Sequence, residues 1–92
     1  MIMQEIFTKE EVKQLGEKLG VDWSKFDVEQ LWKGIHVELE HGTRSPNTNV
    51  TNDDKLITIK IALAHLNEFP DYYDRLEKLE KEADEFWSNK TV

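Results

Sequence analysis

Two spacings in this 92-residue sequence put side chains with chemical potential side by side: Glu38-x-x-His41 and His65-x-x-Glu68. Residues three apart on a helix are surface neighbours. A carboxylate and an imidazole so placed can share one metal ion, as the Glu-x-x-His pairs of carboxylate-bridged di-iron bundles do. The two pairs here run in opposite order. Oxygen and nitrogen ligands of this kind suit one divalent ion, zinc, iron or manganese. A second reading stands beside the first. His41 precedes Gly42, so a helix ending there would place its imidazole at the negative end of the helix dipole. His65 would then be a core histidine bonded to Glu38 or Glu68, in a network that fixes helix register without metal. In that reading the chain carries no cofactor.

The second candidate is the acidic C-terminal third. Residues 71–85 hold seven acids against three bases, with Tyr72, Tyr73 and Trp87 as aromatic neighbours. A charged helix face is usually a solvated one. It also fits a basic protein surface, and Tyr73, Glu77, Glu80 and Asp84 are the residues expected to meet it. Recognisable catalytic motifs are missing: there is no P-loop, no glycine fingerprint, no His-Glu-x-x-His and no nucleophile elbow. Ser24, Ser45 and Ser88 have no histidine or carboxylate beside them in sequence to act as general base.

Four helices must position these residues. After a lead-in over residues 1–7, Thr8 and Glu11 form a capping box, with Phe7 and Val12 at the spacing of a hydrophobic staple. Val12, Leu15 and Leu19 make the first buried stripe, and Gly20 supplies a left-handed exit. Trp23 and Phe26 make the connector over residues 21–27 a packed one. Asp27 and Gln30 cap the second helix, whose main face is Val28, Leu31, Trp32, Ile35 and Leu39. Its other face is Gly34, Val37, Glu38 and His41. Gly34 in mid-helix implies close approach by a neighbour, for which Ala64 is the expected counterpart. Residues 43–50 read as a polar connector.

Thr51 and Asp54 cap the third helix, which is apolar on nearly every side. Leu56, Ile59, Ala62, Leu63 and Leu66 share one face, and Ile57, Ile61, Ala64, His65 and Glu68 another. That pattern predicts a buried central helix over about residues 52–69, with Leu63 fully buried. Pro70 fits the first position of a last helix with the stripe Tyr72, Leu76, Leu79, Ala83, Phe86 and Trp87. The fold class is therefore all-α, a compact single-domain bundle of about four helices spanning residues 1–92.

Composition narrows the functions. The formal net charge is −7. No basic patch is visible for phosphate contacts, which argues against direct nucleic-acid binding. There is no cysteine, so disulfides and thiolate metal sites are excluded, as suits a reducing cytosol. No apolar run reaches membrane-spanning length, and the N-terminus lacks the basic start of a signal peptide, so no membrane role is expected.

Three stretches together carry a resemblance: GIHVELEHG over residues 34–42, NVTNDD over 49–54 and KIALAHLNEFPDYY over 60–73. They resemble a family of small phage and bacterial proteins catalogued only as a domain of unknown function. The resemblance implies a cytoplasmic setting, in a bacterium or a phage-infected cell. It assigns no functional residues. The expected function is binding of another macromolecule. The alternative is a metal-binding helical protein using Glu38, His41, His65 and Glu68, with acid–base chemistry open to it.

Overall fold

The computed structural model describes residues 7–90, so all of the lead-in except Phe7 lies outside the described residues. Helix α1 (Lys9–Lys18) starts where Thr8 accepts the Glu11 N–H at 3.1 Å. The Glu11 carboxylate does not return to Thr8; it pairs with Lys55 at 2.8 Å. The staple forms, with Phe7 and Val12 both buried. At the other end Gly20 takes φ +75°. There the Gly20 and Val21 N–H groups reach the carbonyls of Glu17 and Gly16 at 3.1 and 3.0 Å. This pair of bonds satisfies carbonyls that the helix end would leave open. In the connector Trp23 meets Phe26 edge-to-face at 6.3 Å and lies so close over Gly16 that a Cβ there would meet its ring at 2.8 Å.

Helix α2 (Val28–Glu38) is capped by Asp27, which accepts the Gln30 N–H at 3.0 Å. It closes through a 3₁₀ turn (Leu39–His41) onto Gly42. The following loop carries another 3₁₀ turn, Pro46–Thr48, and is tied down rather than merely connecting. The His41 carbonyl accepts the N–H groups of Val50 and Thr51 at 2.6 and 3.1 Å, and Asp53 accepts the Thr43 N–H at 3.0 Å. Asn52 and Asp53 are left-handed, with φ 52° and 61°. These two residue types tolerate that conformation best after glycine.

Helix α3 (Lys55–Glu68) takes its cap from Asp54, which accepts the Ile57 N–H at 2.9 Å; Thr51, the expected cap, instead accepts the Asp53 N–H at 3.2 Å. The left-handed pair consumes the Thr51 hydroxyl and moves the helix start three residues on. Helix α4 (Tyr72–Lys90) begins two residues after Pro70, not with it. Asp71 takes the cap position, its carbonyl accepting the Asp74 and Arg75 N–H groups at 3.1 and 3.2 Å.

Among the described residues the all-α, four-helix class holds, but the hub is α2 rather than the stretch over residues 52–69. Helix α2 packs against each of the other three helices. It buries Leu31 and Ile35 on one face, continued by Leu39 of the 3₁₀ turn, and Gly34 and Glu38 on the other. Helix α3 buries one stripe only, Thr58, Ile59, Ala62 and Leu66. Leu56 and Ile57 stay 46% and 45% exposed, Ala64 is exposed, and Leu63 is half-buried rather than buried. Apolar residue type does not compel burial when no neighbour covers that side. Phe7, Val12, Phe26 and Tyr73 complete the core.

Candidate functional site

The core of the candidate site is Glu38, a carboxylate in the last turn of α2 whose residue is only 3% exposed. Tyr73, from the first turn of α4, donates its hydroxyl to Glu38 Oε2 at 2.6 Å. His65 Nε2 lies 3.7 Å from the same oxygen, and His41 Nε2 lies 3.4 Å from Oε1. Three of the four expected ligands thus converge. Glu68 is exposed and takes no part. The bond that matters is to Tyr73, because at 2.6 Å it is the shortest contact on Glu38 and satisfies a buried carboxyl oxygen. Burial first, and then this bond to Glu38, push the Tyr73 hydroxyl well above the usual phenol range. The Tyr73 hydroxyl therefore keeps its proton and stays a donor to Glu38. Among the described residues no group of three or more His, Cys, Asp or Glu side chains is arranged to hold a metal ion.

Gly34 explains how Tyr73 gets there. A Cβ at position 34 would run into the Tyr73 ring, so the glycine opens α2 to α4 and not to Ala64 of α3. His65 stacks on Tyr72 at 4.3 Å with an interplanar angle of 11°, and Tyr72 meets Tyr73 edge-to-face at 5.0 Å. This aromatic cluster locks the start of α4 to the ends of α2 and α3. A second histidine is also structural. His36 is buried; its Nε2 accepts the Phe7 N–H at 3.3 Å, so its Nδ1 is left to donate to the Trp32 carbonyl at 2.8 Å. Trp32 Nε1 in turn donates to the Phe7 carbonyl at 2.8 Å.

Beyond Tyr73 the helix leaves the core. Leu76 is half-buried, and every residue over 77–89 is exposed, Leu79 at 59% and Phe86 at 52%. Between α2 and α4 lies a groove of about 310 Å³ lined by Lys33, Val37, Tyr73, Leu76, Glu77 and Glu80. Its charges are unevenly matched. Lys33 is satisfied by Asp74 and Glu77, both at 2.9 Å, and these bonds hold both carboxyls below their ordinary range. Glu80 is raised instead, by partial shelter first and then by Glu40, Asp84 and Glu77. Of the four expected partner contacts, Glu77, Glu80 and Asp84 are exposed on α4, whereas Tyr73 is buried as part of the groove's floor.

The family model described as "Protein of unknown function (DUF5661)" matches residues 12–82. The chain belongs to this family. No curated protein and no solved structure matches it. The DUF5661 match takes in the whole Glu38–Tyr73 cluster and the groove, and stops within α4. Within it, helical spacing singles out Glu38, His41 and His65 but misses the Tyr73 hydroxyl and Glu40. Gly34 is the available signal for Tyr73, since its small size implies a large neighbour. Glu40 has none, because an acid in an acidic chain does not stand out. Among the described residues no helix is long and apolar enough to cross a membrane.

Proposed function

We propose that this protein is a docking module, which binds another protein through the outer part of α4 and the adjoining groove on α2. One observation carries the reading: helix α4 continues past the core with an exposed apolar stripe beside an apolar groove. Leu79 stands 59% exposed within this stripe. Isolated helix of this length is marginal in water, so its stripe is best satisfied by a second surface. Exposed apolar groups flanked by charge are also the usual make-up of a contact site. The Glu38–Tyr73–His65 cluster then serves as the anchor that fixes the angle at which α4 leaves the body.

The test is affinity capture with three baits: wild type, Leu79→Glu, and the triple reversal Glu77→Lys, Glu80→Lys and Asp84→Lys. Docking requires a partner that wild type retains and both variants lose, and that binds again from purified components. A partner retained equally by all three baits sinks it.

A further inference from the structure

Docking through α4 leaves the occupant of the groove open, and the identity of that occupant rests on the docking reading. We propose that the groove between α2 and α4 takes an amphipathic α-helix of a partner protein, its apolar edge on Val37, Leu76 and Leu79 and its lysine- or arginine-bearing flank against Glu40 and Glu80.

The spacing on α4 argues for a helix. Leu76, Leu79, Ala83 and Phe86 are separated by three, four and three residues. That is the a/d repeat of a helix that packs along another helix, knob into hole. An extended strand would present its side chains with a period of two and match at most alternate positions. The exposed run over residues 77–89 extends roughly 20 Å at about 1.5 Å per residue, enough for three to four turns of a partner.

The charges argue for a basic one. Glu77 and Glu80 line the groove, with Asp84 one turn beyond Glu80 on α4, while Lys33, the lysine in the lining, is already held by Asp74 and Glu77. A cation entering beside Glu80 relieves repulsion that the free protein keeps. The same charges argue against a second copy. Two α4 helices laid together would each bring seven acids and three bases over residues 71–85, on chains of net charge −7. Like charges across an interface disfavour the pairing.

The experiment titrates the full-length, ¹⁵N-labelled protein with designed amphipathic peptides of about 18 residues, long enough to hold a helix. One alternates Leu with Lys at helical spacing, one Leu with Gln and one Leu with Glu. The Leu/Lys peptide should shift the amides of Val37, Leu76, Leu79 and Glu80. Its affinity should fall about tenfold as salt is raised to screen the rim. Glu40→Gln with Glu80→Gln should weaken it about fivefold, and Leu79→Glu should abolish the shifts. Equal binding by the Leu/Gln or Leu/Glu peptide overturns the basic partner and leaves docking standing. Silence of the α4 amides with all three peptides, while Leu79→Glu still loses a captured partner, overturns the helical occupant alone. Capture indifferent to Leu79→Glu overturns docking itself. A sedimentation dimer that Leu79→Glu splits assigns the face to a second copy and overturns the proposal.

Discussion

Tyr73 joins the buried cluster to the groove, since its hydroxyl compensates Glu38 and its ring floors the apolar channel beside α4. Tyr73→Phe keeps the ring and leaves a buried carboxylate short of its best donor. It should cost about 1–3 kcal/mol in denaturant unfolding, the penalty of an unsatisfied buried acceptor. Gly34→Ala should also destabilise, by about 1–3 kcal/mol for an overpacked contact, although alanine is the better helix former. A stabilised Gly34→Ala variant would mean that Tyr73 does not lie against α2. The two Glu–His spacings are legible in the sequence because helical neighbours follow from sequence separation alone. The tyrosine is not, because it arrives from 35 residues away across a tertiary contact. On the reading of this cluster as a hydrogen-bond network, added zinc, manganese or iron should leave the melting temperature unchanged; a rise that His65→Ala removes would restore the metal reading.

At the scale of elements, the caps are the most readable features. Thr8, Asp27 and Gly20 act where their local chemistry puts them, since a cap depends on three or four consecutive residues. The start of α3 escapes such reading because its cap depends on Asn52 and Asp53 turning left-handed, which residue type permits but does not announce. Helix centrality escapes it for a different reason. Helix α3 has the more continuous apolar sequence, whereas α2 has the glycine and the carboxylate that only contact on two sides explains. Ile59→Ala, at a fully buried position, should cost about 2–5 kcal/mol. Leu63→Ala, at a half-buried one, should cost distinctly less. Equal losses in denaturant midpoint would return α3 to the centre.

At the scale of the molecule, the proposed docking gives Glu80 a role that opposes its effect on stability. Its carboxyl is raised, so the native fold favours its protonated form, and the ionised group opposes folding as pH rises through its range. Glu80→Gln should therefore leave the neutral-pH melt unchanged or higher. Asp74 and Glu77 have the opposite sign. Their carboxyls are lowered below 3.8 and 4.5 by Lys33, so their contribution is present above those values and is lost as pH falls through the lowered ones. Lys33→Ala should flatten that part of the acid-unfolding curve. These effects are modest because the pairs are solvent-facing. Docking through α4 is tested most directly by hydrogen exchange on the complex with the partner that wild type captures. New protection should run along α4 from Leu76 to Phe86 and appear at Lys33, Val37 and Glu40 beside it. Protection confined to the loop over residues 43–54, or to the connector over 21–27, would contradict docking through α4.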